Sequence, residues 1–527
     1  MWSKRSSGPM ARAIERGPSV LASERVLSPQ QVLLLFIVLS LAYVFPIVHA
    51  DYAYVDDNWR ALLQAQDAWR NQGRILLEWL YKVLTFSQAT INIFPMPLLI
   101  SIVALAMAMA RLTLWLFPRP GITSCLVILP VLCNPFFLGN LTYQYDGPGM
   151  VLALVAVIYA ITCRVEHRTI RTLLAALLIA VTLSLYQLSI SLFIGLCIVE
   201  FICGVRDKVA LQALLVMLVE RLVQLVVGGL MYFLTAYPLA VDTRGSHLPV
   251  DQQWLGVVWQ KLCVSMQMLG LLMASAGNVL TLALLLGAGA GFVLLMGNIR
   301  QMHGRPSARF GVALLYLLSP VALVWSVPGM MLFLAEPNLE ARNFIGFSAV
   351  LVLLLLFSHE LLGRVWPGLR WLLILPTLFM FAFSYAYGQV IIAKKELESA
   401  MAHYIANDLV SRSELRDVNR YNYLRAPGDG NWLPRGHGAI THMPLLRYIL
   451  SGSNSVLHAQ FFPRLGINNV IGGERSDFER LVAAGGVGAP LVDNRFYSIY
   501  VTGEQGFIVM KPILEDENYN HNWPRVP

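Results

Sequence analysis

The chain has 527 residues, of which 57% are hydrophobic and 13% charged, with a formal net charge of +8 and a mean hydropathy of +0.60. Soluble proteins carry about a quarter charged residues, so most of this chain is excluded from the soluble class and reads as polytopic membrane protein. The basic balance could suggest a nucleic-acid binder, but residues 392–527 are charge-neutral and the whole excess lies in 1–391, beside apolar runs that it orients.

Residues 1–30 form a basic tail with Lys4, Arg5, Arg12, Arg16 and Arg25, expected in the cytoplasm. A bilayer crossing needs about 20 apolar residues. By that measure the chain holds about eleven spans, near 31–50, 92–116, 121–138, 148–163, 172–187, 188–204, 213–240, 275–297, 310–334, 343–362 and 371–391. Val48-His49-Ala50 resembles a cleavage site, but the first run exceeds a signal-peptide core and reads as an uncleaved anchor. Glu220 and Arg221 suggest an interfacial helix leading into 213–240.

With the N-terminus inside, Arg111, Arg119, Arg164, Arg168, Arg171, Arg206, Arg300, Arg305, Arg309, Arg364 and Arg370 share the cytoplasmic side, and the outer connections, Arg244 and Lys261 among them, are acidic on balance. An odd number of spans then places 392–527 outside. That tail opens with a helix near 392–411 and a Gly/Pro-rich stretch at 426–430. A helical pattern follows near 476–484, then a hairpin of 495–501 and 506–510 around Gly503. The expected fold is therefore an α-helical polytopic membrane domain, 31–391, followed by a small α/β periplasmic domain, 392–527. The six cysteines (125, 133, 163, 197, 203 and 263) precede the tail and contain no CxxC pair, so neither a zinc site nor a disulfide framework is indicated.

The chemistry gathers at the outer ends of the spans. Loop 51–85 opens with Asp51-Tyr-Ala-Tyr-Val-Asp56-Asp57-Asn-Trp-Arg60 and continues to Gly73-Arg74 and an apolar run; it suits an amphipathic segment at the membrane surface. On a helix Asp56, Asp57 and Arg60 could share a face, either as an ordinary helix start with a weak ion pair or as a working cluster. A divalent cation is a further candidate there, although two adjacent carboxylates fall short of a complete site. The loop Asn140-Leu-Thr-Tyr143-Gln144-Tyr145-Asp146-Gly-Pro-Gly149 offers side chains that hydrogen-bond and stack on sugars, or a plain polar turn capped by Asp146. Tyr186-Gln187 occupies a tight outer turn, and Glu336-Pro-Asn-Leu-Glu340-Ala-Arg342-Asn343 another. Arg342 is either a snorkelling interface cation or a bidentate phosphate clamp.

Asp56-Asp57-x-x-Arg60 with Gly73-Arg74, Asn134-Pro-Phe-Phe with Gly-Asn140-Leu-Thr-Tyr-x-Tyr-Asp146, Ser184-Leu-Tyr186-Gln187 and Arg342-Asn-Phe-Ile-Gly346 together resemble the Gtr type II glucosyl transferases of bacterial serotype conversion, within the GT-C superfamily. The resemblance covers about 30–390. It implies a multi-pass enzyme of the bacterial inner membrane. Such an enzyme would move a hexose, in the first instance glucose, from an undecaprenyl-phosphate donor to O-antigen, lipopolysaccharide or another surface glycan on the periplasmic side. By that resemblance Asp56 or Asp57 is the catalytic base, and Arg60, Arg74 and Arg342 bind the donor phosphate. Tyr143, Gln144, Asp146, Tyr186 and Gln187 would be sugar- or acceptor-binding. No resident metal or other cofactor is implied with certainty, Mg or Mn remaining an option; membrane lipids are partners and nucleic acid is not. The competing readings are a flippase of a lipid-linked sugar, another GT-C transferase of aminoarabinose or mannose type, a glycan polymerase, and a membrane scaffold whose tail binds a partner.

Overall fold

The computed structural model describes residues 25–63, 67–241, 248–335, 339–426, 433–450 and 457–512. Lys4, Arg5, Arg12, Arg16, Arg244, Glu336 and the stretch 427–430 lie outside the described residues.

The first helix, α1 (Pro29–Ala50), starts at a capping box in which Ser28 and Gln31 bond each other's backbone N–H. It ends at Asp51, whose left-handed backbone (φ 43°) turns the chain out of the bundle. Three short helices then build the first loop: α2 (Asp57–Arg60), α3 (Asp67–Asn71) and α4 (Ile75–Thr85). α4 buries Leu77 and Tyr81 and exposes Trp79 and Val83, which is the two-faced pattern of a helix at a membrane surface.

The bundle continues with α5 (Met96–Leu116) and a broken span of α6 (Ile122–Ile128), α7 (Pro130–Cys133) and α8 (Leu138–Thr142). Pro130 and Pro135 interrupt that span, because proline supplies no N–H to the helical ladder. Next come α9 (Gly147–Ile161), α10 (Arg168–Leu185), α11 (Ile190–Arg206), α12 (Leu211–Thr235), α13 (Trp254–Ala276), α14 (Asn278–Ile299), α15 (Pro306–Ser326), α16 (Phe347–Val365) and α17 (Ile374–Ser411).

Among the described residues eleven helical stretches are long and apolar enough to cross a membrane, which makes this a polytopic helical membrane protein. The number agrees with the sequence reading and the set does not. α9, read as a span, is a shorter apolar helix of 15 residues. α13, which was not read as a span, has the required length and apolarity. Its contacts nevertheless tie its first half and its C-terminal end to the same face of the bundle. Lys261 Nζ donates to the Leu334 carbonyl, and Ser275 Oγ accepts from the Leu445 N–H at 3.1 Å. The opposite face is marked by Leu211 N–H to His303 O and Asn298 Nδ2 to Arg206 O, both 3.3 Å. α13 thus runs along the face that carries loop 51–85.

The shortness of α9 has a counterpart in its surroundings. Arg221, on α12, donates to the Ala160 and Ile161 carbonyls at the end of α9 and forks onto Glu200 at 2.8 and 2.9 Å. A cation there satisfies carbonyls that lack helical partners and opposes the negative end of the helix dipole. Arg111 does the same from α5, through the Thr162 carbonyl and hydroxyl.

α17 has 38 residues, about 57 Å at 1.5 Å per residue, and runs unbroken from the bundle into the tail across the 391/392 boundary. Gly388 lets it close on Pro46 of α1. Its last turns carry Met401, Ala402, Ile405 and Leu409 into the tail's own core. After α18 (Ser413–Arg416) comes a five-stranded sheet of β1 (Arg420–Leu424), β2 (Val470–Gly472), β3 (Val492–Asp493), β4 (Tyr497–Thr502) and β5 (Gln505–Met510). The strand order is β2-β1-β5-β4-β3, with β1 parallel to both neighbours and the rest antiparallel. The expected hairpin is β4–β5, turning at Gly503 with φ 59°. Helices α19 (His437–His442), α20 (Leu445–Leu450) and α21 (Arg475–Ala483) complete the tail; α21 covers the sheet through Phe478.

Candidate active site

The residues singled out from the sequence converge on one face, around the start of loop 51–85. Its centre is a buried carboxylate. Asp146, only 2% exposed, takes Arg60 at both oxygens (Nε–Oδ2 2.5 Å, Nη2–Oδ1 3.1 Å) and also receives Arg74 Nη1 at 3.1 Å and Trp69 Nε1 at 3.0 Å. The Arg60 guanidinium lies between the Trp59 and Trp69 rings, 4.7 and 4.9 Å from their centroids. Two cations, one anion and an indole N–H therefore tie α2, α3 and the start of α4 to the α8–α9 turn.

Asp56 and Asp57 separate sharply. Asp57 is fully buried; Oδ2 accepts the N–H groups of Tyr54 (2.8 Å) and Gln144 (3.0 Å), and Oδ1 accepts that of Tyr145 (3.3 Å). Burial pushes its carboxyl up to about 8, and the backbone donors pull it down. Both of its oxygens are spent on pinning loop 51–63 to the 143–145 turn. Asp56 is half-buried and accepts the Trp59 indole N–H at 3.1 Å. Val55, before it, has φ 42°, a conformation costly for a β-branched residue. The pair therefore does not offer a cation two free carboxylates. Among the described residues no group of three His, Cys, Asp or Glu stands together as a metal cluster.

The arginines divide in the same way. Arg60 is 1% exposed and committed to Asp146, whereas the side chains of Arg74 and Arg342 are each 19% exposed. Arg74 stacks on Tyr186 (4.9 Å) and Arg342 on Tyr143 (5.4 Å). Arg342 pairs with Glu340 at 2.8 Å. Burial lowers its proton affinity.

Tyr143, Gln144, Asp146 and Tyr186 are all buried. Gln144 bridges Asp51 (2.8 Å) and Asn92 (2.7 Å), and the Tyr186 hydroxyl donates to Asn343 at 3.3 Å. Gln187 donates to the Gln72 carbonyl and the Tyr232 hydroxyl, both 3.0 Å, and so supports the Gly73–Arg74 turn from below. Three participants were not singled out from the sequence: Tyr54, Trp69 and the tail residues of α20. Trp69 carried a faint signal, a second tryptophan ten positions after Trp59 in a short polar loop. The α20 residues carried none.

A family model described as Glucosyl transferase GtrII matches residues 45–353, which contain every site residue named above except those of the tail. A protein of Salmonella phage P22, described as an uncharacterized 55.3 kDa protein in the 5′ region of gtrB, is 28% identical over 206 residues. That match covers 39% of this chain and 42% of the phage protein. No solved structure matches the chain.

Proposed function

The chain belongs to the GtrII glucosyl transferase family, and we propose that it moves a hexose, glucose in the first instance, from undecaprenyl-phosphate-hexose to O-antigen, lipopolysaccharide or another surface glycan. The reaction would run on the periplasmic side of the bacterial inner membrane, with the face bearing loop 51–85 and the tail turned outward. The observation that carries this reading is the division of labour around Asp56. It is the half-buried carboxyl of the acidic pair; its loop meets the Arg342 turn at Gly139 and is joined to Arg74 through Asp146, which pairs with both Arg60 and Arg74.

In this scheme the acceptor hydroxyl gives its proton to the Asp56 carboxylate as its oxygen attacks the anomeric carbon. The bond from that carbon to the phosphate oxygen breaks, and the polyprenyl phosphate leaves with the electron pair. Arg74 and Arg342 would take up the departing charge, guanidinium planes being matched to phosphate oxygens. Phosphate leaves readily, so one base suffices and the two-carboxylate scheme of glycoside hydrolases is not needed. Direct displacement inverts the anomeric centre. Asp57, Asp146 and Arg60 would frame the site, since their polar atoms are already engaged with the protein.

A flippase without chemistry would call for charges free to act inside the membrane. The buried Arg221–Glu200 pair is engaged with the end of α9. The test is to incubate the purified protein with labelled polyprenyl-phosphate hexose and candidate lipopolysaccharide. Label in the lipopolysaccharide is expected; movement of the lipid across the bilayer with no transfer from any polyprenyl donor would overturn the proposal.

A further inference from the structure

The family match ends at residue 353, yet a short piece of the tail is built into the candidate site. α20 has six residues, and Leu445, Leu446 and Ile449 are buried in the same apolar core as the membrane helices. Its polar contacts fall on the elements that frame the site. The Tyr54 hydroxyl, two residues before Asp56, donates to the Ile449 carbonyl at 2.6 Å. The Tyr448 hydroxyl donates to the Leu339 carbonyl, three residues before Arg342, and the Tyr448 ring lies 6.3 Å from that of Phe344. These contacts meet at Gly139. A Cβ there would stand 3.6 Å from Ile449 Cγ2 and 3.7 Å from both the Arg342 Cβ and the Tyr54 hydroxyl.

Arg342 sits in a single 3-10 turn, Ala341–Asn343, outside any regular helix or strand. A turn of that length does not fix a long side chain by itself, and a phosphate clamp loosened by about 1 Å loses much of its effect. We infer that α20 is a positioning element of the site. Through Tyr448 and Ile449 it holds the arginine turn and the acid loop at a fixed separation, so that Arg342 reaches the donor phosphate beside Asp56. This inference rests on the donor reading above.

Tyr448→Phe and Tyr54→Phe each remove one hydroxyl and keep the ring. One hydrogen bond is worth about 1 kcal/mol, which converts to about fivefold in an equilibrium constant. The readout is binding of sugar-free polyprenyl monophosphate to the full-length protein in nanodiscs, with thermal unfolding measured in parallel. Each variant is expected to bind about fivefold more weakly while unfolding close to the wild-type temperature. Tyr404→Phe, an exposed hydroxyl on α17, is expected to change neither. In an Arg342→Ala background Tyr448→Phe should cost nothing further, since the contact acts through that arginine. Wild-type binding in both single variants, or the same loss with and without Arg342, would overturn the inference. If Tyr448→Phe fails to fold, Tyr54→Phe decides. A wild type that does not bind polyprenyl phosphate would instead remove the donor reading, and this inference with it.

Discussion

Arg60 grips Asp146 from across 86 positions, Nε to Oδ2 at 2.5 Å, and both side chains are almost wholly buried. Removing one partner of such a pair leaves an uncompensated charge inside the protein, which costs about 3–5 kcal/mol. Arg60→Ala and Asp146→Asn are therefore expected to lower the unfolding temperature markedly in detergent, with activity lost alongside the fold. Arg60→Lys should not rescue, because an ammonium cannot supply the two-pronged contact. Thermal unfolding followed by size-exclusion chromatography checks this.

Gly73 sets the direction of Arg74. Its φ is 72°, and an added Cβ would stand 2.5 Å from the Tyr232 hydroxyl and 3.3 Å from Gln187 Nε2. Gly73→Ala carries a left-handed backbone cost of about 1–2 kcal/mol and displaces the Tyr232–Gln187 bond. The expected outcome is a transferase with a raised KM for the lipid donor and a modest loss of stability. Steady-state kinetics at varied donor concentration would show it.

The tail should loosen in mild acid. Burial, with Arg425 and Lys394 nearby, depresses the His458 imidazole to about 4 against an ordinary 6.5. The folded tail thus keeps this ring neutral where the unfolded chain would protonate it. Its contribution is fully present above about 6.5 and is lost as pH falls through the window from 6.5 to 4. Limited proteolysis of the full-length protein across pH 7.5–4.5 should show increasing cleavage within 457–512, and His458→Phe should flatten that dependence.

The membrane architecture was readable because crossing a bilayer demands about 20 apolar residues, and that demand is written locally. The departures have physical causes. α9 is cut short where Arg221 and Arg111 take up its last carbonyls, a long-range arrangement that hydropathy cannot register. α13 meets the same hydropathy demand as a span, and its place along one face is set by partners far away in the chain, Leu334 and Leu445, which local composition does not report.

The candidate site was legible as a set of residue types and illegible as a division of roles. Asp56 and Asp57 look equivalent in sequence; what separates them is the 143–145 turn, whose N–H groups consume Asp57. Asp146 looks like a free sugar-binding acid until Arg60, Arg74 and Trp69 are seen around it. α20 reaches the site over nearly 400 positions from Tyr54, and no spacing rule reports that.

If Asp56 takes the acceptor's proton while Asp57 holds the loop, removing the Asp56 charge should stop the chemistry and leave donor binding intact. The measurement is a comparison of Asp56→Asn with wild type in the labelled-hexose transfer assay, using protein shown to unfold at the wild-type temperature. A fall in kcat of about 10²–10⁴-fold is expected, with binding of the polyprenyl donor retained. Transfer at the wild-type rate by Asp56→Asn would rule out Asp56 as the base.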